Sequence, residues 1–140
     1  NQPAVAKGYI TVPELAGVHA ALEARLGQKR AYLDRIYYCP HHPEKGFDGE
    51  IKELKIDCSC RKPKTGMITV AERELSIDLA GSWIIGDRTV DIMTGKNAGL
   101  STVLVASGSM GKDGKYPCVA DHVAPGINEA VDIILKRMRP

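Results

Sequence analysis

Apolar residues recur along this chain at two different periods, and the alternation between the two predicts an α/β protein. Between Pro13 and about Lys29, the residues Leu15, Val18, Leu22 and Leu26 stand three and four positions apart. That spacing puts them on one face of an amphipathic helix, with Pro13 suited to its first turn. Arg35 to Cys39, RIYYC, is a short run rich in β-formers that passes into the polar, Pro- and Gly-punctuated PHHPEKGFDGE. A strand followed by a long loop is expected there. The chain returns through Cys58-Ser59-Cys60 and RKPKTG, after which Met67, Val70, Ala71 and Leu75 resume helical spacing and predict a helix over about Thr65 to Leu79.

Ser82 to Gly86, SWIIG, is a continuous apolar run too short for a helix, as a buried parallel strand would be. A helix from about Val90 to Ala98 closes at Gly99, and Thr102 to Ala106 supplies the next strand. Beyond the Gly- and Lys-rich SGSMGKDGKYP, a short segment DHVA leads into an apolar-periodic helix from Ile127 to Met138. Strand, helix and strand in close succession imply a Rossmann-like, mostly parallel sheet with helices on both faces. The chain carries no internal repeat and no low-complexity tract.

At 140 residues and 44% hydrophobic content the expectation is one domain over residues 1–140. The 19 basic and 17 acidic side chains, net +2, are dispersed without a basic run. Nucleic acid is therefore not an expected partner, whereas a small phosphorylated substrate, which needs only a few cations in one place, is. No stretch reaches the roughly 20 apolar residues of a membrane span, and no signal-like segment opens the chain. A soluble, cytoplasmic, monomeric protein is expected.

Three of the four cysteines, Cys39, Cys58 and Cys60, fall near His41 and His42, and that clustering suits a metal better than disulfides. Cys39-Pro40-His41 followed by Cys58-Ser59-Cys60 offers three sulfurs and one imidazole, a closed tetrahedral zinc set with a structural role, held in a loop of about residues 39–60. His42 is the rival imidazole; His41 is preferred because its offset from Cys39 mirrors the other pair. Cys118 stands apart in the later loop.

Gly86-Asp87-Arg88-Thr89-Val90-Asp91 follows directly on the apolar strand, where open α/β sheets gather their ligands. A carboxylate at Asp87 can hold Mg²⁺, with Asp91 one helical turn further on in support. By itself a lone Asp at a strand-to-helix junction is more often a plain helix cap. Arg61-Lys62-Pro63-Lys64 adds cations beside the proposed zinc loop. Arg61 can bind phosphate in a bidentate way and Lys62 acts as a compact charge, although such runs are usually solvated turns.

Taken in order, NQPAVAKGYIT, YYCPHHPEKGFDGE, CSCRKPKTGM and GDRTVDIMTGKNAG resemble the D-glycero-D-manno-heptose 1,7-bisphosphate phosphatase and histidinol-phosphatase branch of the haloacid-dehalogenase superfamily. The resemblance runs through nearly the whole chain, and the CPHHPE to CSCRKPKTGM block is its most specific part. It implies zinc at Cys39, His41, Cys58 and Cys60, Mg²⁺ at Asp87, phosphoryl stabilisation by Lys62 and substrate recognition by Arg61. It also implies substrate-phosphate contact by Arg88 and loop contacts from Asn1 and Gln2.

The branch also uses an Asp-x-Asp-Gly-Thr element whose first Asp attacks phosphorus and whose second acts as acid and then base. This chain does not contain that element, so the expectation is a phosphatase domain truncated at its N-terminus, with the nucleophile and the N-terminal strands outside these residues. The strand at Ser82–Gly86 would then border a vacant sheet position, with the strand at Arg35–Cys39 beyond it. The expected activity is Mg²⁺-dependent hydrolysis of a small sugar phosphate of carbohydrate metabolism, the 7-phosphate of the heptose bisphosphate. The competing readings are a histidinol-phosphate phosphatase and, in another class, a catalytically silent zinc-stapled binding module.

Overall fold

The computed structural model describes residues 1–138, which fall into two compact units, Asn1–Arg61 and the segment from Lys62 onward. In the first unit, a single helical turn α1 (Pro3–Ala6) is followed by α2 (Val12–Gly27) and a long irregular segment that includes one 3₁₀ turn over Lys52–Leu54. α2 starts on a reciprocal cap. The Thr11 hydroxyl accepts from the Glu14 amide at 3.3 Å while Glu14 Oε2 accepts from the Thr11 amide at 2.7 Å, so two amides that the first turn cannot satisfy are satisfied by side chains.

The helix is where its spacing predicts, but its apolar face is covered only in part. Leu15 is buried, whereas Val18 and Leu22 are 62% and 46% exposed. Arg35–Cys39 forms no strand. β-Formers make an extended backbone favourable, but a strand exists only where a second backbone accepts its ladder, and among the described residues none pairs with this segment. Its contacts come from side chains and from one end: the Tyr38 ring lies 5.4 Å from that of His19, and the Cys39 carbonyl accepts from the Gln2 amide at 2.8 Å.

The second unit runs α3 (Gly66–Leu75), β1 (Trp83–Gly86), α4 (Thr89–Asn97), β2 (Ser101–Val105), β3 (His122–Ala124) and α5 (Ile127–Met138). α3 stops at Ser76, short of the expected Leu79, because Ser76 adopts a left-handed conformation that turns the chain out of the helix. β3 forms within DHVA, a segment whose sequence is too short to show periodicity. The three strands make a parallel sheet in the order β1-β2-β3, with Ile85 opposite Val103 and Val105 opposite Ala124.

Side-chain alternation along the strands assigns each helix a face. Val103, Val105 and Ala124 join Ala130 in the core, with Trp83, Ile85 and the α5 residues Ile133 and Ile134 packed against them. Ile84 and Thr102, of opposite parity, meet α4 at Gly95, where an added Cβ would stand 2.3 Å from Ile84 Cγ2 and 2.7 Å from Thr102 Cγ2. β3 is pinned to β2 through Asp121. Its carboxylate accepts from the Thr102 amide (2.9 Å) and hydroxyl (2.7 Å), and its own amide donates back to Thr102 Oγ1 at 2.9 Å. No helix among the described residues is long and apolar enough to cross a membrane.

Candidate active site and metal centre

The first unit gathers a cluster of soft ligands. Cys39 Sγ lies 3.5 Å from Cys58 Sγ and 3.6 Å from His41 Nδ1, while Cys60 Sγ lies 3.4 Å from Cys58 Sγ and 3.3 Å from His41 Nδ1. Ligands around a tetrahedral zinc, at bonds of about 2.3 Å for sulfur and about 2.0 Å for nitrogen, stand roughly 3.5–3.8 Å apart. The Cys/His cluster is therefore consistent with a zinc site.

The chemistry of the donors points the same way. Burial pushes the Cys60 thiol up to about 12, reinforced by the Cys39 and Cys58 sulfurs, and burial raises Cys39 as well. Burial also opposes ionisation of Cys58, but hydrogen bonds from Cys60 and Cys39 and from the Arg61 and Cys60 amides outweigh it and lower that thiol. Three thiolates cannot share so small a volume without a cation among them.

Backbone hydrogen bonds shape the loop that brings these ligands together. The His42 amide donates to the Leu54 carbonyl and the Ile51 amide to the Ala6 carbonyl, each at 3.0 Å. Gly8 is required at the crossing beneath them, since it has φ +74° and an added Cβ would stand 2.0 Å from the Gly49 carbonyl oxygen. Arg61 Nη1 donates to the His41 carbonyl at 3.0 Å, so its guanidinium is tied to the ligand loop. His42 is outside the cluster: it is buried, its ring meets Phe47 at 5.8 Å, and its Nδ1 accepts from the Glu44 amide at 3.2 Å. Asn1 and Gln2 are half-buried in the same unit, with Gln2 preceding α1.

In the second unit β1 delivers Asp87 to its carboxyl end and α4 begins immediately afterwards. Asp87 does not cap that helix. The cap position is Arg88, whose amide donates to Asp91 Oδ2 at 3.2 Å. Asp87 Oδ2 instead accepts from the Ser109 amide at 2.7 Å, and this bond holds its carboxyl below the usual carboxylate range, with the Arg88 charge a smaller contribution. Asp91 is buried, and its other oxygen pairs with the Lys62 ammonium. Asn97, further along α4, donates to the Pro63 carbonyl at 3.0 Å, so the helix holds the Lys62–Pro63 segment at two points. Gly86 permits the approach of strand and helix, because a Cβ there would lie 2.3 Å from that of Asp91.

Asp91 of α4 thus joins the Lys62 ammonium and the Arg88 amide, on the helix that begins two residues after Asp87, whereas Asn1, Gln2, Arg61 and the thiol cluster belong to the first unit. The donor set at Asp87 fits a hard cation: an ionised carboxylate at a strand end, with one oxygen oriented by a backbone amide.

One part of the site is not signalled by the motifs. The loop after β2 folds onto Asp87 and Thr89: the Gly111 amide donates to the Asp87 carbonyl at 2.8 Å, Asp113 accepts from the Thr89 amide and hydroxyl at 2.8 and 3.0 Å, and the Tyr116 amide donates to Thr89 Oγ1 at 3.2 Å. Cys118 Sγ reaches the Thr89 carbonyl at 3.4 Å and is not a member of the Cys/His cluster. The available clue was positional, since a Gly-rich loop leaving the neighbouring parallel strand emerges at the same end of the sheet as Asp87.

Comparison with known proteins identifies similar chains and a similar fold. Residues 59–130 match a HAD-hydrolase-like family profile. The D-glycero-beta-D-manno-heptose-1,7-bisphosphate 7-phosphatase of Haemophilus influenzae is 39% identical over 99% of this chain and 72% of its own length; that of Yersinia pestis is 38% identical over 77% of this chain and 56% of its own. The chain therefore spans little more than half of the second relative. A crystal structure of the D,D-heptose 1,7-bisphosphate phosphatase from B. bronchiseptica, complexed with magnesium and phosphate, superposes with a TM-score of 0.80 at 28% identity, covering 98% of this chain and 72% of that one.

Proposed function

The chain belongs to the HAD-like hydrolases, in the D-glycero-manno-heptose-1,7-bisphosphate phosphatase family, and we propose on that basis that the protein hydrolyses the 7-phosphate of a heptose bisphosphate with Mg²⁺ held at Asp87. The observation that carries this reading is the pairing of the Lys62 ammonium with buried Asp91, one turn into the helix that starts beside Asp87. A lysine held by a carboxylate on a rigid helix presents a fixed positive charge, and such a charge stabilises a phosphoryl group whose oxygens gain charge during transfer. Asp91 acts through Lys62 and through the Arg88 amide.

Mg²⁺, when bound, neutralises phosphate oxygens and orients them for in-line attack. Asp87 contributes its charge and the orientation set by the Ser109 amide. Arg88 contacts the substrate phosphate at the start of α4, and Arg61 recognises the substrate together with loop contacts from Asn1 and Gln2. The attacking carboxylate is not assigned to any residue of this chain. Cys39, His41, Cys58 and Cys60 would hold a zinc ion with protein ligands alone, and such an ion would order the loop bearing Arg61 and not activate water.

Phosphate release by the full-length protein tests the assignment, with the heptose bisphosphate and histidinol phosphate offered side by side. Preference for the bisphosphate supports it. Preference for histidinol phosphate moves the protein to that alternative, and Mg²⁺-independent silence toward both leaves a zinc-stapled binding module.

A further inference from the structure

The loop that folds onto Asp87 and Thr89 is held by a side chain that touches neither substrate nor metal in the reading above. Thr89 is the first residue of α4, and its amide is one of the donors that a helix start leaves without an intrahelical partner. Asp113 takes that amide and the Thr89 hydroxyl together, at 2.8 and 3.0 Å, and the same hydroxyl accepts from the Tyr116 amide at 3.2 Å. Between Asp113 and β2 lie the two amides that reach Asp87: Gly111 on its carbonyl and Ser109 on its carboxylate. Gly108 completes the approach with φ +89°, and a Cβ there would stand 2.5 Å from Asp87 Oδ2. No regular secondary structure supports residues 106–121, and the bonds at Thr89 join those of Gly111 and Ser109 to Asp87 in returning the loop to the strand end.

We propose that Asp113 is a positioning residue for the cation site: by clamping the loop to Thr89 it keeps the Ser109 amide on Asp87 and so fixes the orientation of the metal-binding carboxylate. The inference rests on the reading that Asp87 holds Mg²⁺, which is small, demands near-octahedral geometry and tolerates a misdirected ligand poorly. Partners one shell removed from a metal ligand typically carry about 10- to 100-fold in affinity, and a residue acting through the loop belongs at the lower end.

The test is Mg²⁺ titration of the full-length, zinc-loaded protein by calorimetry, with amide exchange at Ser109 followed in parallel. Asp113→Ala should weaken Mg²⁺ about tenfold and speed exchange of the Ser109 amide. Asp113→Asn, which keeps one acceptor for Thr89, should recover most of both. Asp87→Asn, run alongside, should lose Mg²⁺ binding. If Asp87→Asn loses the ion while Asp113→Ala binds it with wild-type affinity, the positioning role is overturned and the Mg²⁺ reading stands. If Asp87→Asn still binds normally, the Mg²⁺ reading falls and the positioning role with it.

Discussion

Gly95 is the position where helix α4 and the sheet come closest, and Gly95→Ala sets two opposing effects against each other. In a helix interior, replacing Gly by Ala ordinarily stabilises by about 0.5–1 kcal/mol, because Gly loses more backbone freedom on folding. Here the new methyl would stand 2.3 Å from Ile84 Cγ2 and 2.7 Å from Thr102 Cγ2, distances that real Cβ contacts do not show. Neither neighbour can yield easily. Both are β-branched and stiff at χ1, and the Thr102 hydroxyl is held by Asp121 at 2.7 Å. Overpacking of this kind costs typically about 1–3 kcal/mol, so the packing term should win and Gly95→Ala should destabilise by roughly 1–2 kcal/mol net. Gly17, inside α2 with nothing within 4 Å of its ideal Cβ, receives the same propensity gain without the clash, and Gly17→Ala should stabilise by about 0.5–1 kcal/mol. Urea unfolding of the full-length, zinc-loaded protein, read as midpoint shifts at constant slope, measures both. If both variants shift the midpoint upward, α4 can lift from the sheet at little cost and the close-packing argument fails. The result bears on function because α4 also carries Asp91 and the paired Lys62.

Elemental analysis should find one zinc per chain, with Cys39, Cys58 and Cys60 protected from thiol reagents, and Cys118→Ser should leave that content unchanged because Cys118 bonds Thr89 and not the cluster; three freely titratable cluster thiols in purified protein would count against the site. In the full-length protein Lys62→Ala should lower turnover by about 10²–10³ with a smaller change in KM, since a charge that meets the transferring phosphoryl acts in the transition state; near-normal turnover would remove Lys62 from the site. The Asp121 carboxyl is held low by the Thr102 hydroxyl, with the Thr102 amide and Lys96 adding to it against the cost of burial. Its stabilising contribution is present above the unfolded carboxylate pKa of about 3.9 and is lost as pH falls through the lower folded value. The acid limb of a stability profile should therefore be shallower in Asp121→Asn than in wild type, and parallel limbs would show that Asp121 contributes nothing pH-dependent.

Local pattern located most of the second unit because its elements are made by short-range rules. The spacing from Val90 to Ala98 and the stop at Gly99 correspond to α4 (Thr89–Asn97), with Gly99 left-handed at φ +74° just beyond it. SWIIG and the run from Thr102 supply two neighbouring parallel strands, β1 paired with β2 alone among the described residues and β2 lying between β1 and β3. Arg35–Cys39 failed as a strand for the complementary reason: RIYYC states a preference for extended backbone, but the partner that would turn preference into a ladder is a non-local fact. His122–Ala124 shows the reverse case, three residues with no periodic signal that become a strand because β2 offers an edge and the reciprocal Asp121–Thr102 bonds hold them there.

The same division runs through the site. Cys39, His41, Cys58 and Cys60 are legible because metal ligands need particular side chains in particular pairs, and the sequence states side chains directly. Lys62 and Asp91 are individually visible, but their pairing across 29 positions depends on α4 holding the Lys62–Pro63 segment, which only the fold reveals. What the loop over residues 108–116 supplies at Asp87 is backbone amides, and an amide is present at every residue except proline, so composition carries no trace of the choice. Its one sequence mark is negative: Gly108 and Gly111 lack the side chains that would obstruct the approach, with Gly108 facing Asp87 Oδ2 and Gly111 facing Leu104. A site built partly from backbone is therefore recognisable in advance only where strand order is already known, because parallel topology alone says which loops emerge at the same end of the sheet.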